Sequence, residues 1–523
     1  MGTETIIRKS AFSESGIQPV IDDLIAEMQA LYLADEIPWS IGYSGGKDSS
    51  AVVQLAWMAL SRLELSQLHK PVYVMTTDTM VENPVISSWV EKSLNTMGEM
   101  AIKQGLPIRP NLLKPDVSNT FWVNLVGRGY PAPRHKFRWC TDRLKIQPSN
   151  KFIEDTVSKH GEVILLLGVR SAESFARAKS IARRQKNPHD CLTSHDSLMN
   201  CLVYSPIHDW LDDDVWAFLL RYPNPWSYSN KDLMSMYRGA TEDNECPIVV
   251  DTSTPSCGNS RFGCWVCTLV EQDKSMGAMI QNDEEKEWMI PMLRLRDELD
   301  FRSDEDRARD RQRRDFRRMH GNVSLSLYPD ESGQYPLVPG PYTQQARVDW
   351  LRRLLSTQKE LQNNEATPEY GRNIELLTLG ELQEIRRIWI NEKREVEDLV
   401  PIVYEEVIGE KYPGLDIDEH LIFDADTLSL LNDCCDNNAL AYELGRNLLD
   451  VERSYRAKGT RRGLFNDLEK EIKRCFYEDK QDATDWARRK AALKERSHVN
   501  CEEGQVQFDT TIAKDNAESM SAI

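Results

Sequence analysis

The chain has 523 residues, a formal net charge of −18 and a pI near 5.1: enough length for two or three cores, and too much acid to hold nucleic acid through overall charge. No apolar run approaches the roughly 18 residues of a membrane helix, and Met1 to Val20 lacks a signal peptide's apolar centre, which predicts a soluble cytoplasmic protein without membrane contact. In such a compartment its 11 cysteines read as metal ligands or redox thiols rather than disulfides.

In chain order, residues 20–33 carry apolar positions at helical spacing and predict a helix that packs ahead of the first strand, within an N-terminal segment 1–35. The stretch PWSIGYSGGKDSSAVVQLAWMAL from Pro38 to Leu60 then reads as a buried strand, a glycine turn and an apolar-striped helix. At such a turn the unpaired N–H groups and the positive end of the helix dipole face an anion. Gly45 and Gly46 let backbone amides reach phosphate oxygens, Lys47 adds a point charge, and Ser44 and Ser49 add hydroxyls, with Tyr43 at the strand's end. Asp48 is a carboxylate among phosphates, a role suited to holding Mg²⁺ or its water shell. The glycine spacing differs from that of G-x-x-x-x-G-K-[ST], so this is a different anion loop.

Residues 71–77 read as a strand ending in Asp78, which either contacts nucleotide or Mg²⁺ or caps its own turn; a helix follows from Asn83 or Pro84 to about Gly105. Residues 106–113 read as another strand, and the stretch to Phe137 as loop, broken by Gly127, Gly129, Pro131 and Pro133. Cys140 stands among Arg138, Asp142 and Arg143 before a helix, the setting of a metal ligand or a sulfur carrier rather than of a buried apolar thiol. Residues 162–169 form the clearest buried strand, and GVRSAESFARA from Gly168 sets Arg170, Glu173 and Arg177 at its carboxyl end. Gly168 and Arg170 join the nucleotide candidates, with a surface ion pair as the alternative for Arg170 and Glu173. Residues 178–200 read as a basic loop carrying Arg183 and Arg184, 201–207 as a last strand, and Asp212, Asp213 and Asp214 as caps of the next helix rather than a metal cluster. Strand–helix alternation predicts a parallel α/β sheet with its ligand at the strands' carboxyl ends.

SGGKDS resembles the pyrophosphate loop of the ATP pyrophosphatase superfamily, which implies cleavage of ATP between the α- and β-phosphates or binding of a related adenylyl sulfate. Together with the segment from Asp78, RWCTDRLK around Cys140, GVRSAES at 168–174 and SPIHDWLDDDVW at 205–216, it resembles the PAPS reductase branch over about residues 40–220. Thr141 stands where the iron–sulfur reductases carry a second adjacent cysteine, and their short C-terminal cysteine tail is lacking, which argues against simple sulfate reduction.

Residues 246–267, CPIVVDTSTPSCGNSRFGCWVC, place Cys246, Cys257, Cys264 and Cys267 in one irregular loop within 241–272. C-x-x-C brings two thiolates to one centre, and Cys257 adds a third; the fourth is either Cys246, closing a structural zinc knuckle, or Cys140, joining the loop to the nucleotide domain. A nucleotide domain over 36–240, this loop and a mostly helical region over 273–500 resemble the DndC sulfurtransferase family of bacterial DNA phosphorothioation systems. The resemblance implies ATP pyrophosphatase activity with Mg²⁺ and a [4Fe-4S] cluster on Cys140, Cys257, Cys264 and Cys267. It also implies a cysteine desulfurase as sulfur donor, and DNA presented by companion DND proteins of a phage-defence system. Lys47, Asp48, Cys140 and Arg170 would be the catalytic set.

Residues 302–318 hold eight arginines against five acids and read as a solvated helix, with Arg311, Arg313 and Arg314 as candidates for DNA backbone contact. The Pro- and Gly-rich stretch 322–346 reads as a linker or lid. Helices follow at 345–365, 378–396, 436–456 and 464–496, and residues 501–523 read as disordered tail. An adenylyl-sulfate reductase, a tRNA thiolase and a zinc-stabilised, nucleotide-gated DNA-binding subunit are the alternative functions.

Overall fold

The computed structural model describes residues 9–135, 137–172, 191–240, 262–330, 333–415, 425–436, 438–456 and 460–493. The helix α1 (Ile17–Leu33) buries Ile21, Ile25, Met28 and Tyr32 and lies against α2 (Lys47–Ser61), an apolar helix that follows β1 (Trp39–Gly42). Then come β2 (Val72–Thr77), α3 (Pro84–Gln104), β3 (Ile108–Leu113), α4 (Gln147–His160), β4 (Val163–Leu166), β5 (Thr193–Ser194), β6 (Cys201–Tyr204) and α5 (Asp212–Arg221). α3 starts where the Asn83 side chain accepts from Val85 N–H and Pro84 fills its first position, and stops at Gly105 in the left-handed region.

The six strands lie in the order β3-β2-β1-β4-β6-β5, parallel except for β5. The chain leaves β1 toward β2 on one side and returns to pair β4 on the other, so the loops after β1 and β4 face each other across the topological switch point. β4 is buried at every position, as its unbroken Val-Ile-Leu-Leu run requires of a strand covered on both faces.

Three local expectations give way to packing. Within 114–137, helical turns form at Val117–Asn119 and Val123–Gly127, because Phe121, Trp122, Val123, Leu125 and Val126 are buried and the breakers start only at Gly127. The region read as basic loop contains the edge strand β5, paired antiparallel to β6. The stretch read as linker or lid packs at its ends, where Leu325 pairs with Leu337 and buried Tyr342 donates its hydroxyl to Asp310 and its amide to the Gly129 carbonyl, while Leu327, Tyr328 and Tyr335 between them are exposed.

The rest is helical: α6 (Asn230–Gly239), α7 (Lys274–Asn282), α8 (Ile290–Leu299), α9 (Asp304–Gln312), α10 (Gln344–Asn363), α11 (Leu379–Arg387), α12 (Leu399–Ile408), α13 (Ala439–Arg456), α14 (Leu464–Arg474) and a last helix over 480–493. The segment read as one helix over 464–496 thus divides near Cys475, and the charged run 302–318 is helical only over α9. One apolar core runs from Ile21 to Tyr412. Trp389 donates its indole N–H to the Val126 carbonyl at 3.0 Å, and Ile385 and Ile388 press on Gly127, so the helices brace the sheet domain.

Candidate active site

Buried β1 delivers Tyr43, whose hydroxyl pairs with Ser93 at 2.8 Å, and the chain turns through Gly45 at φ +74°, a conformation that favours glycine. Gly46 precedes α2 with no side-chain cap, leaving the helix entrance to backbone donors. Ser49 braces the turn: its hydroxyl accepts from Ser44 N–H at 3.2 Å and donates to the Gly46 carbonyl at 3.0 Å.

Facing this loop, the β4 turn brings Gly168 so near that a Cβ there would lie 2.8 Å from the Asp48 carbonyl. The next turn of chain aims Arg170, 4% exposed, at Asp48 (Nε–Oδ1 2.6 Å) and at Asp212 (Nη2–Oδ1 2.9 Å). Lys47 Nζ stands 3.1 Å from Asp212 and 3.6 Å from Asp48, which closes a ring of two cations and two carboxylates. Burial opposes the Lys47 charge, but Asp48, Tyr237 and Asp212 outweigh it and raise its pKa above the ordinary lysine value. Arg170 is therefore part of a buried charge cluster, not of a surface pair.

Asp212 is the member that the sequence reading missed. Asp214 does cap α5, accepting from Leu211 N–H at 2.8 Å, whereas Asp212, first in the helix, turns to the cations. The signal was present in SPIHDWLDDDVW. Asp78, at the end of β2, accepts from Met80 N–H at 2.8 Å and lies 3.7 Å from Lys114. Glu173 and Arg177 lie outside the described residues, as do Arg183 and Arg184.

The thiols gather beside the segment after β2. Trp265 N–H donates to the Val81 carbonyl at 3.0 Å, Glu82 pairs with Cys264 across an antiparallel bridge, and Cys267 N–H donates to the Cys264 carbonyl at 3.0 Å, closing the C-x-x-C turn. Cys264 Sγ lies 3.4 Å from the Thr79 hydroxyl, and Cys140 and Cys267 are near enough for their thiolates to repel. Burial pushes the Cys264 thiol up to about 12 and raises Cys140 as well. Lys145 lies 3.4 Å from Glu82; partial burial works against its charge, but Cys264, Glu82 and Cys140 raise its pKa.

A residue without any sequence signal shapes this loop. Arg296 of α8, 1% exposed, donates to the carbonyls of Cys267 (3.0 and 3.2 Å), Val270 (2.6 Å) and Glu271 (3.2 Å). Cys246 and Cys257 lie outside the described residues. Among the described residues no group of three or more His, Cys, Asp or Glu is disposed to hold a metal ion, so Cys140, Cys264 and Cys267 do not form a ligand set by themselves. The three thiols come from two separate segments, and the Glu82 carboxylate lies 3.8 Å from Cys264 Sγ.

Residues 39–269 match the phosphoadenosine phosphosulfate reductase domain family. The sheet domain is PAPS reductase-like. The chain is 27% identical over 253 residues to the uncharacterized protein MJ0066 of Methanocaldococcus jannaschii, a match over 48% of this chain and 40% of that protein, less than half the relative's length. Among solved structures it is similar to a phosphoadenylyl-sulfate reductase from Candida auris in a phosphate complex (14% identity, 40% of this chain and 90% of that one, TM-score 0.25). It is also similar to an FMN adenylyltransferase from Candida glabrata with FMN and the ATP analogue AMPCPP (13% identity, 43% and 59%, TM-score 0.23).

Of the arginines read as DNA contacts, Arg311, Arg313 and Arg314 lie on and after α9. Arg311 is exposed, Arg313 lies over the Trp350 ring at 4.4 Å, and Arg314 is spent internally on the Gly340 (2.7 Å) and Pro339 (2.9 Å) carbonyls and on Asp310. Among the described residues no helix is long and apolar enough to cross a membrane.

Proposed function

We propose that this protein is an ATP-dependent sulfurtransferase that activates a DNA backbone phosphate and replaces a non-bridging oxygen with sulfur. The observation that carries the reading is the position of two different chemistries on one sheet edge. An anion loop with Lys47 and Arg170 lies after β1 and β4, and the Cys264–Cys267 turn lies beside the segment after β2, with Cys140 near enough to feel the charge of Cys267.

In the first step a non-bridging phosphate oxygen of DNA attacks the α-phosphorus of ATP, the α–β bridge breaks, and pyrophosphate leaves with its charge held by Lys47, Arg170 and the amides of Gly46 and Lys47. Asp48 and Asp212 supply the carboxylates for Mg²⁺ once the nucleotide's phosphates have taken over Lys47 and Arg170. In the second step the terminal sulfur of a persulfide, brought by a cysteine desulfurase donor, attacks the activated phosphorus and expels AMP. A thiol reductant then cleaves the S–S bond, leaving the phosphorothioate and a disulfide. Cys140, Cys264 and Cys267, with Cys257 as the fourth, would hold a [4Fe-4S] cluster, which supplies an electron-transfer or sulfur-binding centre when bound. The acidic chain takes its DNA from companion proteins, with Arg183, Arg184 and exposed Arg311 as contacts of its own.

The test is to incubate anaerobically purified protein with ATP, a persulfide donor, a thiol reductant and DNA together with those companions. Pyrophosphate is measured, and phosphorothioate dinucleotides are sought by mass spectrometry after nuclease digestion. Pyrophosphate and phosphorothioate formed together support the proposal. The family match favours a second reading, reduction of an adenylyl sulfate; sulfite released from that substrate, with no change to DNA, would replace the first reading with the second.

A further inference from the structure

Tyr237, on α6, is not used in the mechanism above, yet its hydroxyl stands against the anion loop. Its hydroxyl accepts from Lys47 N–H at 3.3 Å, and the Lys47 ammonium lies 5.3 Å from its ring centroid. A Cβ on Gly46 would come 3.1 Å from the same hydroxyl. The space that Gly46 keeps free of side chain, and the amide that a phosphate oxygen would seek there, are thus both taken by a phenol. The phenol is buried at 8% exposure, and its ring is held edge-on by Trp216 at 5.3 Å and by Phe262 at 4.7 Å. Phe262 lies two residues before Cys264.

We propose that Tyr237 is a positioning residue that holds the place of a phosphate oxygen at the anion loop, yields it to the nucleotide, and passes that displacement through Phe262 to the Cys264–Cys267 turn. The inference rests on the reading of Ser44–Ser49 as a nucleotide phosphate loop. Its physical content is competition followed by packing. One amide cannot donate fully to a tyrosine and to a phosphate, and an aromatic ring that moves in a close-packed interior must move the ring it touches. Binding of ATP would then rearrange the thiol turn before sulfur arrives.

The probe is inorganic pyrophosphate with Mg²⁺, titrated by calorimetry into the parent, Tyr237→Phe and Lys47→Ala. Hydrogen exchange of the peptide containing residues 262–268 is followed with and without the probe. Tyr237→Phe keeps the ring and removes the competing hydroxyl, so it should bind pyrophosphate about five- to tenfold more tightly than the parent, the equivalent of one hydrogen bond. Pyrophosphate should change the exchange of Trp265 and Cys267 amides in the parent. Phe262→Ala, with an unchanged circular dichroism spectrum, should abolish that change while pyrophosphate affinity stays within about twofold. Unchanged or weaker binding by Tyr237→Phe would overturn the competition, and an exchange response that survives in Phe262→Ala would overturn the relay. If the parent binds no better than Lys47→Ala, the phosphate-loop reading itself falls, and the inference with it.

Discussion

Two buried clusters of charge can be set side by side. At the sheet edge, Lys47 and Arg170 are paired with Asp48 and Asp212 in front of a loop that bares its backbone at Gly45 and Gly46. In the helical region, Arg317 is bound to Asp315 (2.7 Å) and Glu443 (2.6 Å) and also donates to the Arg474 carbonyl, while Arg394 joins Asp450 (2.6 Å) to Glu471 (3.3 Å). The ingredients are the same, buried cations matched by carboxylates. They differ in what lies beside them. The first cluster adjoins an array of helix-terminal amides that can take over an anion, so its pairs can be exchanged for a ligand. The second joins the non-helical segments of Asp315, Arg317 and Arg394 to α13 and α14 with no such amide array beside it, so its pairs are fasteners.

The largest difference should appear on removing one cation from each. Lys47→Ala should lower ATP-dependent pyrophosphate release by about a hundredfold or more while leaving the melting temperature nearly unchanged, because Arg170 still neutralises Asp48 and Asp212. Arg317→Ala should do the reverse. It strands Asp315 and takes from Glu443 one of its two arginine partners, leaving Arg474 at 3.0 Å, at a cost of up to about 3–5 kcal/mol, read as a lower denaturation midpoint, with pyrophosphate release per folded molecule retained. If both variants lose activity in proportion to stability, the distinction between exchangeable and fastening pairs fails.

A smaller effect is expected where a fastener supports the site. Arg296→Ala removes the donors that hold the Cys267, Val270 and Glu271 carbonyls, each buried hydrogen bond worth about 1–1.5 kcal/mol. Hydrogen exchange should quicken across residues 262–271 and bound iron per chain should fall, while pyrophosphate binding at the anion loop remains. Unchanged exchange would mean that Phe262, Trp265 and Val266 hold the turn without the clamp.

What could be read beforehand follows the same line. β1, α2, β2, α3, β3 and β4 were legible because periodicity, the Asn83 cap and the Gly105 stop are local signals. Ser44–Ser49 was legible for the same reason, since the chemistry and the geometry of that loop lie in six consecutive residues. Asp212 was not, because its first-turn position satisfies the rule for a cap whether or not its carboxylate turns toward Lys47, and only the fold brings α5 to the anion loop. Arg296 and Tyr237 carry no motif at all; each acts on a loop far away in sequence. In the 322–346 stretch Pro and Gly marked the irregular backbone, but they do not say which side chains between them are buried, as Tyr342 is, and which are exposed, as Tyr328 is.

The smallest predicted effect concerns a cation in the helical cluster that resists its position. Lys393 is held down to about 7 from 10.5, chiefly by burial and then by the nearby charge of Arg347, with Arg474 acting the same way and Glu395 and Asp315 opposing. A lysine with a depressed folded-state pKa binds fewer protons folded than unfolded between pH 7 and 10.5, so it makes stability rise with pH across that window and penalises the fold most at and below pH 7. Lys393→Met keeps the length and drops the charge. It should raise the denaturation midpoint at pH 7, by no more than a few kcal/mol in stability, and flatten the rise toward pH 10. A variant that keeps the parent's slope would show that Lys393 carries its proton comfortably, and that the helical cluster tolerates charge as readily as the sheet edge does.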